Sequence, residues 1–69
     1  MQEFEVMDVV AVSRESFSAG IRRAVEEALS TLGDRLESVE IDPPWNVALT
    51  SDGQVEFRNT VRLIYRSNK

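Results

Sequence analysis

Five carboxylates, Asp8, Glu40, Asp42, Asp52 and Glu56, are the side chains of this sequence best suited to chemistry. They are hard oxygen donors, and an ion such as calcium takes six to eight oxygens from carboxylates, backbone carbonyls and water. Glu40, Asp42, Asp52 and Glu56 flank the break between two predicted strands and are the acidic residues most able to converge. A symmetric assembly can also collect such ligands from several chains. The competing reading of each is a solvated acidic rim, in a chain with twelve acidic against eight basic residues and a net charge of −4. Acid–base catalysis by Asp8, Glu40, Asp42 or Glu56 has only this composition behind it, since acidic residues are common here by chance. With no cysteine and no histidine, the usual nucleophile–base pairs and a Cys/His zinc clamp are missing, and serine has no activating partner beyond Lys69. The expectation is a protein that is not an enzyme. Asp52-Gly53 alone makes a turn, because neither a Gly-rich phosphate loop nor the spacing of an EF-hand surrounds it. The acidic balance also argues against nucleic acid, whose binding needs clustered Lys and Arg.

The elements that position these residues follow from periodicity. Phe4 to Val12, FEVMDVVAV, is rich in valine and reads as a strand covered on much of both faces, with Asp8 either solvated or paired with a cation. Ser13 is a fitting N-cap, and Glu15 suits the positive end of a helix dipole, so a helix is predicted from Ser13 to Leu32. Along it Phe17, Ile21, Val25, Leu29 and Leu32 form an apolar stripe, while Arg22, Arg23, Glu26 and Glu27 fall on the opposite face. Gly20, Ala24 and Ala28 make a second stripe of small residues, suited to close packing against a sheet or a neighbouring subunit. Gly33 supplies the C-cap.

Arg35 to Ile41 alternates as a second strand, with Val39 and Ile41 on one side and Ser38 and Glu40 on the other. Asp42-Pro43-Pro44 breaks it, because proline cannot donate to a ladder, and pairing resumes over Trp45 to Thr50. Trp45, the only tryptophan, either stacks on a planar ligand or partner chain or covers the open end of a small core. Ser51-Asp52-Gly53-Gln54 predicts a tight hairpin. In the last strand Val55, Phe57, Val61, Leu63 and Tyr65 alternate against Glu56, Arg58, Thr60 and Arg62, with Asn59 a misfit on the apolar side. Arg66 to Lys69 reads as a polar tail. The expected fold is α+β, a single domain over residues 1–69 in β-α-β-β order, with one helix packed on a three-stranded antiparallel sheet.

Sixty-nine residues bury only about 60% of the surface their unfolded chain exposes, so a lone copy is marginal and self-association is the remaining remedy. No apolar run is long enough to span a membrane, and Met1 to Glu5 lack the basic start of a signal peptide, which reads as a cytoplasmic protein without membrane partners.

In residues and order of elements the chain resembles the dodecins. The resemblance rests on the valine-rich first strand, Ser13-Arg-Glu-Ser16-Phe17 opening the helix, Ile21, Ala24-Val25 and Ala28 along it, and Ser30-Thr31-Leu32 closing it. Val39-Glu40-Ile41 in the second strand, Asp52-Gly53 and the closing Arg62-Leu63-Ile64-Tyr65 complete it, so that it covers nearly the whole chain. It implies a homododecamer, a hollow shell of twelve subunits, many of which store flavins. Flavin binders place a tryptophan early in the second strand, where this chain has Glu37, and a glutamine in the third, where it has Arg58. Glu37 and Arg58 are therefore expected to pair across the former ligand site, unless Trp45 replaces the platform from a new position. This pattern is similar to the calcium dodecins. The expectation is a shell that binds or buffers a divalent cation, calcium first, with flavin storage or a purely structural shell as alternatives.

Overall fold

A computed structural model of the chain describes residues 3–67; the predicted start at Met1-Gln2 and the end of the tail, including Lys69, lie outside the described residues. Strand β1 (Phe4–Ser13) leads into helix α1 (Phe17–Leu32), a single 3-10 turn (Gly33–Arg35), strand β2 (Leu36–Leu49) and strand β3 (Val55–Arg66). Among the described residues the sheet has three strands, all antiparallel, in the order β1-β3-β2. The expected β-α-β-β architecture is the observed one. β3, with the clearest alternation, takes the centre and pairs on both sides. It reaches Arg66, so the predicted tail is partly strand, and the Ser67 amide donates to the Glu3 carbonyl at 2.8 Å.

The helix begins later than expected. Ser13 stays in β1 opposite Phe57 and is buried; its hydroxyl accepts from the Glu15 and Ser16 amides at 3.0 and 3.5 Å and shapes the turn. Ser16 is the true N-cap, its hydroxyl accepting from the Ala19 amide at 3.0 Å. Two serines three residues apart compete for one role, and the one released from the ladder takes it. Glu15 therefore precedes the helix, whose first turn holds no acidic residue. Gly33 ends α1 as expected, with φ 58° and its amide donating to the Leu29 carbonyl.

Of the two roles open to the small-residue stripe, packing on the sheet is the one observed within the chain. The small residues face the sheet: Gly20 and Ala28 are buried, and a Cβ added at Gly20 would lie 3.3 Å from the Val12 carbonyl carbon. Close approach of α1 to β1 is what the small stripe is for. The core is Ala11, Ala28, Val61 and Leu63, with Val9, Ile21, Ala24, Leu36, Val39, Ile41 and Tyr65 packed around it. Of the large stripe only Ile21 joins that packing, and Leu29 is exposed. β1 likewise departs from expectation, since one chain covers only its helix side and leaves Phe4, Val6, Val10 and Val12 exposed.

β2 does not stop at the prolines. It runs from Leu36 to Leu49, with the register against β3 slipping between the pairs Asp42↔Thr60 and Asn46↔Arg58. Prolines are tolerated because β2 is an edge strand and the irregularity absorbs them as a bulge. The hairpin after it closes as predicted: Thr50 and Gln54 pair through backbone and the Thr50 hydroxyl, and Gly53 takes φ 81°.

Candidate functional site

Side chains alternate along a strand, so the residues of β3 that flank the buried Asn59, Val61 and Leu63 point to the face away from the helix. That outer face carries the charge. Arg62 sits at its centre, opposite Asp8 on β1 and Glu40 on β2. Its Nε donates to Asp8 Oδ1 at 2.9 Å and Nη2 to Oδ2 at 3.3 Å, a bidentate fork, while Nη1 lies 3.7 Å from Asp42 Oδ2. Asp8 is thus cation-paired, and the cation is a guanidinium. The hydrogen bond from Arg62 outweighs the opposing desolvation and holds the Asp8 carboxyl below its usual value, and the Asp8 carboxylate in turn raises the Arg62 pKa, with Asp42 and Glu40 adding to the field.

The other selected residues are also placed. Asp52 lies on the hairpin, where a hydrogen bond from the Thr50 hydroxyl lowers its pKa. Glu56 accepts from Arg58 at 2.6 Å and lies 4.0 Å from Arg14. Glu37 does not meet Arg58; it lies 3.5 Å from Arg66, further along the same strand β3, because the β2–β3 register sets Arg58 opposite Asn46. The expected Glu37–Arg58 pair is corrected to two separate pairs. Three carboxylates, Asp8, Glu40 and Asp42, come together around Arg62, whereas Asp52 and Glu56 stand apart from them. Among the described residues no group of three acidic side chains is arranged to hold a metal ion.

Trp45 lies in the bulge and packs on Phe17, ring centroids 4.9 Å apart, and Phe17 meets the edge of Phe57 at 5.1 Å. It covers the end of the core near the helix N-terminus and remains half exposed. Arg58 was singled out from sequence, but the other two organising cations, Arg62 and Arg66, were missed. Arg58, Arg62 and Arg66 recur every fourth residue of β3 and so share one face, a signal readable in the alternation. Asn59 is the other: it is 3% exposed, and neither side-chain atom finds a partner. A groove of about 220 Å³ between α1 and β1 is lined mainly by apolar residues, Met7, Val9, Ala24, Ala28 and Leu63 among them, with Glu27 at its margin. That is below the usual size of a small-molecule pocket, about 300 Å³ and upward.

One helix laid on a β1-β3-β2 antiparallel sheet, with a salt-bridged outer face, defines a small α+β protein. A family model described as Dodecin matches residues 4–68, and the chain belongs to the dodecin family. Solved structures share the fold. A point mutant of the T. thermophilus dodecin is 20% identical over 100% of both chains, with a TM-score of 0.80. The dodecin of Streptomyces davaonensis is 22% identical, covering 99% of this chain and 97% of its own, at 0.77. A calcium-chelating antigen of Mycobacterium tuberculosis, a calcium dodecin, is 18% identical over 96% of this chain and 91% of its own, at 0.83. A search of curated proteins returned no match. Among the described residues no helix is long and apolar enough to cross a membrane.

Proposed function

We propose that this chain self-associates into the twelve-subunit shell of its family and that the shell binds or buffers a divalent cation, calcium first. The observation that carries this reading is Glu37, a carboxylate in ion-pair distance of Arg66 at the position where the resemblance to flavin binders calls for an aromatic platform. A flavin ring gains stacking energy on an aromatic face and none on a salt bridge. The likeness to a calcium-chelating dodecin supports the ion. So does the donor chemistry, since Asp42, Glu40 and Asp8 are oxygen ligands already grouped around a positive charge. Because one chain does not arrange three of them for an ion among the described residues, the reading requires ligands from neighbouring copies. Asp52 and Glu56, on and beside the hairpin, are the proposed contributors from a second chain. Binding and storage, not turnover, is the role.

Two titrations on one preparation separate the alternatives. Calcium is expected to raise the melting temperature, and a chelator to reverse the rise, while added flavin keeps its fluorescence. Strong flavin quenching with no calcium response would instead favour the flavin store, with Trp45 as its platform; neither response would leave a purely structural shell.

A further inference from the structure

β1 is an edge strand, and its phase against β3 decides which of its backbone groups are left over. The Ser67 amide donates to the Glu3 carbonyl opposite it, and the register from there runs unbroken to Ser13↔Phe57. Antiparallel ladders alternate bonded and non-bonded pairs. Glu5, Met7, Val9, Ala11 and Ser13 therefore bond to β3, while Val6, Asp8, Val10 and Val12 turn their amides and carbonyls outward. Three hollows follow that open edge between β1 and α1. The groove of about 220 Å³ beside Met7 shares Val10, Ala24 and Glu27 with one of about 190 Å³. This in turn shares Val12 and Arg23 with a third of about 350 Å³ that ends at Arg14. Together they make one trough, about 20 Å long from Met7 to Ser13 at the rise of a strand. The helix leaves this room because Gly20, Ala24 and Ala28 are small.

We propose that the trough takes an extended segment of a different protein, added to β1 as an antiparallel strand whose trough-facing side chains read acidic, x, basic, x, apolar. The row of outward backbone groups selects a strand as the occupant, because another extended backbone satisfies every one of them. The helical wall selects the charges. Arg23 and Glu27 both line the trough, and among the described residues neither is in an ion pair. They stand one helical turn apart, about 6 Å along the axis, close to the roughly 6.8 Å between alternate residues of a strand. An acid and a base two residues apart on the added strand therefore meet both. Beyond Glu27 the wall is Ala28, Leu32 and Met7, where an apolar side chain fits. The intervening residues lie beside Val10 and Val12, which are exposed on the other face of β1, and are expected to be β-branched. The free edges of this chain make poor occupants. Neither β1 nor β2 carries a lysine or arginine, and each carries acids, Glu5 and Asp8 on one and Glu37, Glu40 and Asp42 on the other. Either would offer Glu27 no base and set like charges against β1.

Fluorescence polarisation on the full chain, in whatever oligomer it forms, tests this with two labelled probes. One peptide runs glutamate, valine, lysine, valine, leucine; its twin has the glutamate and lysine exchanged. The first is expected to bind about tenfold more tightly, and Arg23→Glu/Glu27→Arg, at two exposed helix positions, should reverse the preference. Methylating both valine amides of the first probe should weaken it about tenfold, because those amides donate to the outward carbonyls of Val10 and Val12. Equal affinity for the twins, a preference that survives the exchange, or undiminished binding of the methylated probe overturns the proposal. So does no binding of either peptide, or protection of the outward β1 amides from hydrogen exchange without any peptide, since another copy would then cover the edge. The calcium titration above stands apart from each of these outcomes.

Discussion

Asn59 is buried with both polar atoms unpaired, opposite Ala11 on β1 and level with the bulge on β2. A buried amide without partners costs about 1–3 kcal/mol, and an apolar side chain of similar size removes that penalty. Asn59→Leu should therefore stabilise the fold by about 1 kcal/mol and raise the melting temperature by about 4–8 °C at a fixed chain concentration. A lower melting point would mean that the amide is satisfied by water or by a neighbouring copy. Asp8 shows the opposite case, a charged group fully served. Its folded pKa is depressed by Arg62, so the stabilisation is complete above about pH 4 and drains away as pH falls through the folded value. A carboxyl NMR titration should place Asp8 below the ordinary value of about 3.9, and Arg62→Gln should return it towards that value. An unchanged Asp8 titration in the variant would sink the assignment of Arg62 as its partner.

Among the elements, the helix–strand contact is set by Gly20. Its added Cβ meets Val12 backbone at 3.3 Å, so Gly20→Val should cost about 1–3 kcal/mol by overpacking, read as a lower denaturant midpoint. Gly20→Ala should cost less, because alanine returns about 1 kcal/mol of helix propensity. A Gly20→Val midpoint equal to wild type would show that β1 yields freely. The element order, the C-cap at Gly33, the Asp52-Gly53 hairpin and the alternation of β3 were legible because each depends on neighbours in the chain. The N-cap was not, because Ser13 and Ser16 are locally equivalent and only the Ser13↔Phe57 pairing separates them. The break in pairing expected at Pro43-Pro44 is where the register slips, but that β2 continues through it was not legible, since sequence does not say that β2 is an edge strand. At the site, the carboxylates were legible by type and their partners were not. Which arginine meets Glu37 is a matter of cross-strand register, and register slips at the bulge.

The molecule is thin: among the described residues four hydrophobic side chains are buried, while nine large ones, from Phe4 to Leu49, are exposed. That imbalance is the physical reason for reading it as a subunit, and it agrees with membership of the dodecin family. It also bears on the ion. Asp8, Glu40 and Asp42 answer to Arg62 within one chain, so on the proposed reading a calcium ion would have to compete with a guanidinium or recruit carboxylates from a second copy. Replacing Arg62 by Gln should tighten calcium binding at least several-fold if the ion uses this group; unchanged affinity in the variant would place the ion elsewhere on the shell.

The most direct test is calorimetric titration of calcium into wild-type protein whose mass in the same buffer is measured by light scattering. The expected result is an oligomeric mass and a saturable heat that Glu40→Gln/Asp42→Asn abolishes. An oligomer that gives no heat and no saturation with calcium would contradict the cation-binding reading outright.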